Sequence, residues 1–165
     1  MVLVSALAVR YILRKQALSR ALLLCLPLID LLLLTFTAMD LQRGATATFA
    51  HGLAAAYIGF TIAFGGMAVG WADAHFAHRF AGGPVPAKAP TRGWEVVRYE
   101  FNLWGRCIVA CVITVVLVEA LIQWVGIPTS TEPLLEWHKH AFGCVVFWFV
   151  FGPLWSLITA WRRPK

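Results

Sequence analysis

Acidic residues inside long apolar runs are the first candidates for chemistry in this chain. Asp30 lies about halfway along the apolar run 21–39, and Glu119 lies near the end of the run 106–125. A carboxyl group in a bilayer costs a few kcal/mol, so each should face other helices and find a partner there. We expect both to form intramembrane polar sites for a proton or an ion. For Asp30 the alternative is a neutral acid bonded to a hydroxyl group or to a backbone carbonyl freed by Pro27.

A set of charged and imidazole side chains falls at one predicted membrane surface, and we call this set the outer rim. Its members are Asp40, Arg43, His51, Glu119, His138 and His140. Carboxylates and imidazoles bind Zn²⁺ or move protons, and histidines from two helices can ligate haem. No diagnostic ligand spacing is present, so a structural or gating polar network is preferred, with zinc or haem as the weaker alternative and no other cofactor expected. Asp40 and Arg43 should form an ion pair that fixes the turn.

A second polar set falls at the opposite predicted surface, and we call it the inner cluster. It consists of Asp73, His75, His78, Arg79, Arg98 and Glu100. The first three residues have ligand atoms enough for a metal. The simpler interpretation is a solvated helix end, whose arginines bind the anionic headgroups of the lipid bilayer.

The four cysteines all fall inside or at the ends of predicted helices, so we expect no disulfide framework. Cys107 and Cys111 are one helical turn apart and can in principle share a metal. Small, polarizable packing residues are the simpler interpretation.

Long apolar segments must position these residues. The chain of 165 residues is 60% hydrophobic and 13% charged, whereas soluble domains are about a quarter charged. Four runs have the length of a bilayer-spanning helix: 21–39, 48–71, 106–125 and 141–161. They predict an all-α membrane protein, with residues 1–165 forming one integral four-transmembrane-helix bundle. Residues 1–20 mix apolar and basic residues and are expected to form an interfacial helix.

The basic residues predict the orientation of this bundle. Twelve of the 14 lysines and arginines fall on one side: 4 before the first run, 5 between the second and third, and 3 after the fourth. The positive-inside rule then places both termini and the loop 72–104 in the cytoplasm. The net charge of +6 is explained by lipid headgroups, so no nucleic acid is expected as a partner.

Glycines and prolines predict how the helices pack and bend. Small residues recur along the second run at spacings of three or four, which is typical of a packing seam: Ala55, Gly59, Ala63, Gly66 and Gly70. Residues 73–80 should extend this helix. Residues 93–104 should form an interfacial approach to the third helix, and Gly152-Pro153 should kink the fourth.

Three stretches, DLQRGATATFAHGLAAAYIGF, WADAHFAHRFAGGPVPAKAP and RYEFNLW, resemble a family of small four-helix bacterial inner-membrane proteins. The resemblance covers roughly residues 21–104 and weakens beyond them. It implies a bacterial inner-membrane location and the same four-helix topology. It implies no reaction and assigns no functional residue.

The residues favour a non-enzymatic membrane protein, because no nucleophile elbow, P-loop, dinucleotide fingerprint or zincin motif is present. The preferred hypothesis is a small proton- or ion-linked transport or conductance protein that works as a homo-oligomer. One alternative is an accessory or assembly subunit of a larger membrane complex. Another is a metal- or haem-binding membrane protein that uses His51 with His138 or His140.

Overall fold

The structure, a computed structural model, describes residue 29, residues 32–91 and residues 93–162. Regular structure within these residues is entirely helical, which confirms the predicted all-α membrane protein. The predicted interfacial segment 1–20, most of the predicted helix 21–39 and the candidate residue Asp30 lie outside the described residues.

Three helices of the described chain are long and apolar enough to cross a membrane: Phe49–Ala81, Trp94–Val125 and Glu132–Trp161. The elements in chain order are α1 (Leu32–Gln42), α2 (Phe49–Ala81), α3 (Trp94–Val125), α4 (Pro128–Thr131), a 3₁₀ turn (Glu132–Leu135), α5 (Glu136–Phe149), a π-helical turn (Val150–Leu154) and α6 (Trp155–Arg162). Together with the shorter apolar α1, they fit the predicted four-helix bundle. The segment from the 3₁₀ turn through α6 forms one long final helix.

Residue chemistry sets where the long helices end. Gly82 and Gly126, which follow α2 and α3, both have a φ of 65°. This left-handed conformation suits glycine and stops a helix. At the other end of α2, the backbone N–H of Thr48 donates to His51 Nδ1 over 2.9 Å. The imidazole therefore closes the first turn of α2.

Three of the five small residues of the α2 stripe lie in the seam between α2 and α3. Ala55, Gly59 and Ala63 are buried, and a methyl group at Gly59 would lie 2.5 Å from the carbonyl oxygen of Ala110 in α3. Only glycine permits this approach of two helix backbones. A methyl group at Gly66 or Gly70 would meet nothing within 4 Å in the described chain.

Two helices are longer than the apolar runs predict. The approach 93–104 and the run 106–125 join into the single helix α3, because no proline interrupts them. The final segment becomes α-helical at Glu136 instead of near residue 141. The predicted distortion at Gly152-Pro153 is present as the π-helical turn, as expected where a proline lacks the N–H of a helical hydrogen bond.

The seam generates the first prediction. Gly59→Ala should lower the thermal unfolding temperature in mild detergent, because the new methyl group forces α2 and α3 apart; we expect a loss of about 1–3 kcal/mol. Gly143→Ala is the matched control, since a methyl group there meets nothing within 4 Å. Equal stability of the two variants would contradict the close α2–α3 packing.

Candidate functional site

The outer rim brings an acid of α3 against a histidine of α5. Glu119 Oε1 lies 2.8 Å from His138 Nε2. The other ring nitrogen of His138, Nδ1, lies 3.0 Å from the carbonyl oxygen of Leu135. Both groups are partly exposed, with 37% of the His138 side chain and 46% of the Glu119 side chain accessible. The predicted intramembrane acid Glu119 therefore has a partner, although the sequence alone did not pair it with His138.

The carbonyl of Leu135 orients the ring of His138. A backbone carbonyl only accepts, so Nδ1 is the donor in that contact. Nε2 is then the ring nitrogen that faces Glu119 Oε1. The contact therefore joins an acid and an imidazole, two side-chain types that can exchange a proton.

The second histidine–acid pair of the outer rim has the opposite arrangement of ring nitrogens. His51 Nδ1 accepts the N–H of Thr48 at 2.9 Å, so Nε2 carries the proton in a neutral ring. That Nε2 faces Asp40 Oδ2 across 3.9 Å. Asp40 therefore faces His51, where the sequence predicts Arg43 as its partner.

His140 is held by a carbonyl and by two aromatic rings. Its Nδ1 lies 2.8 Å from the carbonyl oxygen of Glu136. Its ring lies against Phe49 and Trp137, with centroids 5.9 Å and 5.4 Å away. In the neutral ring Nε2 keeps the lone pair. Arg43, the remaining member of the outer rim, has an exposed side chain.

Trp137 is the residue of this end that sequence reasoning missed. It is buried, and its indole covers Gly52, where an added methyl group would overlap three indole atoms. Gly52 directly follows His51, so the indole fixes α5 against the start of α2. The glycine was visible in the sequence, but nothing there indicated which aromatic side chain covers it.

The inner cluster does not close into one site in the described chain. His75 Nδ1 lies 2.8 Å from the carbonyl of Trp71, and His78 Nδ1 lies 3.0 Å from the carbonyl of Gly83. Arg79 and Arg98 are exposed, Asp73 is half-buried, and Glu100 lies against Gly152 of the final helix. Headgroup binding by this cluster stays a prediction.

Possible metal ligands gather around the cysteine pair that the sequence gives as able to share a metal. Among the described residues, the one group of three or more clustered ligand side chains is Cys107, Cys111 and Cys144. The histidines of the outer rim are instead engaged singly with carboxylates or carbonyls. Cys144 comes from α5, and its meeting with the two α3 cysteines had no sequence signal. Zinc or haem at the outer rim stays a prediction.

Long apolar helices with most of their surface turned outward define a multi-pass helical membrane protein. A similar protein is "Uncharacterized membrane protein YmcC" of Bacillus subtilis (strain 168), 36% identical over 160 residues, which cover 96% of this chain and 82% of YmcC. The chain belongs to the family of this membrane protein. No protein-family model matches the chain, and no solved structure matches it significantly.

The Glu119–His138 contact generates the second prediction. Glu119→Ala removes the acid that faces His138 Nε2, so it should lower the stability of the protein in detergent, by less than about 1 kcal/mol for so exposed a pair. His138→Ala should cause a similar loss. The double variant should lose little more than either single variant, because both changes remove the same contact. The measurement is the thermal unfolding temperature of the wild type and the three variants.

Glu136→Ala is the matched control for this comparison. Glu136 forms an exposed pair with Lys139 over 2.8 Å, and residues two positions apart on a helix do not face each other. Its effect should therefore add to that of His138→Ala. Strict additivity of Glu119→Ala and His138→Ala would contradict their contact.

Proposed function

We propose that the protein is a small proton-linked transport or conductance protein that acts as a homo-oligomer in the bacterial cytoplasmic membrane. The observation that carries this proposal is the Glu119–His138 pair, in which an acid and an imidazole from two helices lie 2.8 Å apart. Two such groups in contact can pass a proton between them, which transfer of protons along a path needs.

The position of the pair supports a role at an entrance. Glu119 is about 9 Å from the end of α3, at 1.5 Å per residue. A cavity of about 470 Å³ lies beside this end, between the last turn of α3 and the 3₁₀ turn. Leu135, whose carbonyl oxygen contacts His138 Nδ1, lines that cavity. A proton or small solute in the cavity would therefore lie beside the backbone that orients His138.

Homo-oligomer formation is proposed because the described helices leave a packing surface uncovered. The cavity between α2, α3 and α5 is lined almost entirely by apolar groups, so a polar pathway would need further helices. Gly66 and Gly70 form a small-xxx-small motif on exposed positions of α2. Such motifs bring helices into close contact in membranes. We place the interface of the oligomer there.

The orientation belongs to the same proposal. Twelve of the 14 basic residues precede, separate or follow the predicted helices on one side, which supports a cytoplasmic location of both termini. The outer rim would then face the outside, where the proton concentration is higher in a respiring bacterium. The Glu119–His138 pair would load its proton from that side.

The test is proton flux into liposomes that contain the purified protein and a trapped pH-sensitive dye, driven by a potassium diffusion potential. We expect wild-type flux above that of empty liposomes. Asp30→Asn and Glu119→Gln should reduce it to the level of empty liposomes, because each removes a carboxyl group on the proposed proton path. Glu136→Gln, whose acid lies on the exposed surface, should conduct as the wild type does.

Native mass spectrometry of the same preparation decides between the proposed function and its main alternative. A complex of several copies of this chain supports a homo-oligomer. Wild-type liposomes without flux, together with a co-purified foreign subunit, would overturn the proposal in favour of an accessory or assembly role.

A further inference from the structure

Three cysteine thiols meet inside the bundle, away from both polar ends. Cys107 and Cys111 lie one turn apart on α3, and Cys144 approaches them from α5. The Sγ atoms of Cys107 and Cys144 are 3.8 Å apart, and all three sulfurs lie within 4.8 Å of one another. Cys107 is fully buried, and none of the three forms a disulfide.

We propose that this cluster is a binding site for a single Cu(I) ion, held by the three sulfurs in a trigonal arrangement. A first-row metal ion about 2.3 Å from each of three coplanar sulfurs separates them by about 4.0 Å. The Cys107–Cys144 separation of 3.8 Å already meets this value. A side-chain rotation that moves the sulfur of Cys111 closer to the other two, from within 4.8 Å to about 4.0 Å, would complete it.

Ligand number and softness select the ion. Thiolates favour Cu(I), zinc and iron–sulfur clusters, but structural zinc sites and iron–sulfur clusters take four protein ligands. In the part of the chain that the structure describes, no fourth histidine, cysteine or carboxylate joins the three sulfurs. Cu(I) is a soft ion, and three sulfur ligands complete its coordination.

Binding replaces protons by the ion. The surroundings of the cluster are apolar, with Phe64 and Trp148 packed against it. Metal-ligating cysteines are thiolates, so each ligating thiol releases its proton to solvent as its copper–sulfur bond forms. Copper stays in its +1 state, and no oxidant or reductant is consumed.

A cavity supplies the route. A volume of about 390 Å³ extends between α2, α3 and α5 from Trp137 and His140 to Cys111 and Cys144. His140 lies one helical turn before Cys144, and its Nε2 keeps a lone pair because Nδ1 is engaged by the carbonyl of Glu136. Imidazole suits copper as a first ligand. The ion would enter at the outer rim and pass His140 before reaching the sulfurs.

The experiment uses the full chain in mild detergent, under anaerobic and reducing conditions, in a Cys25→Ser background that leaves only the three clustered thiols. Cu(I) is titrated in competition with the chromophoric chelator bicinchoninate, and copper X-ray absorption is recorded on the loaded protein. We expect one copper per chain and a first shell of three sulfurs at about 2.3 Å. Affinity should rise with pH, because binding releases protons.

Variants locate the ion. Cys144→Ser should weaken Cu(I) binding by at least about a hundredfold. His140→Gln should slow loading but keep one copper per chain with the same sulfur shell. If Cys144→Ser fails to fold, Cys111→Ser replaces it, because Cys111 supplies another of the three sulfurs and also borders the cavity.

Three results would overturn the site. One is a wild-type first shell dominated by nitrogen or oxygen. Another is loss of copper in His140→Gln with all three cysteines intact, which would place the ion at the outer rim. The last is undiminished binding after removal of either Cys111 or Cys144. None of these depends on proton flux, so the copper site and the proposed transport function can fail independently.

Discussion

Hydrocarbon offers no hydrogen bonds, so every polar group of this bundle has to be satisfied by the chain itself. The structure meets this constraint mainly with backbone carbonyls. Arg106 Nη1 donates to the carbonyl of Ala63 across the α2–α3 seam, and Thr114 Oγ1 donates to the carbonyl of Ala110 in its own helix. Such bonds pair side-chain donors that hydrocarbon would leave without an acceptor. Side chains that meet other polar side chains, such as Glu119 and His138, are then the candidates for function.

The histidines show how this constraint assigns the roles of the ring nitrogens. Carbonyl oxygens engage Nδ1 of both His138 and His140, so that nitrogen is the donor. A backbone N–H engages Nδ1 of His51, so there the same nitrogen is the acceptor. Two histidine–acid pairs at the same end of the bundle therefore differ in how the backbone orients the ring. Residue type does not distinguish the two pairs, whereas the helix ends on which they lie do.

Hydropathy predicted the helices well because a spanning helix needs nothing more than a sufficiently long apolar run. Glycine spacing predicted the α2 seam, and the missing N–H of proline predicted the distortion at Pro153, because both effects act locally. The run boundaries were less accurate: α3 begins at Trp94 because a helix continues through polar residues when no proline stops it. Contacts between helices were beyond the sequence. The pairing of Glu119 and the position of Cys144 depend on the rotation of α5 about its axis, and the partner of Asp40 depends on how α1 meets the start of α2. Periodicity defines neither.

Several contacts set the rotation of α5. The indole of Trp137 covers Gly52 of α2, and Trp104 Nε1 of α3 donates to the carbonyl of Val145 over 3.1 Å. Because α5 turns once every 3.6 residues, these contacts also direct the residues around them: Ala141 and Cys144 point into the bundle, and His138 points toward α3. A rotation of α5 would separate Glu119 from His138 and also move Cys144 away from Cys107. The acid–histidine pair and the sulfur cluster therefore depend on the same packing of α5, although no side chain connects them directly.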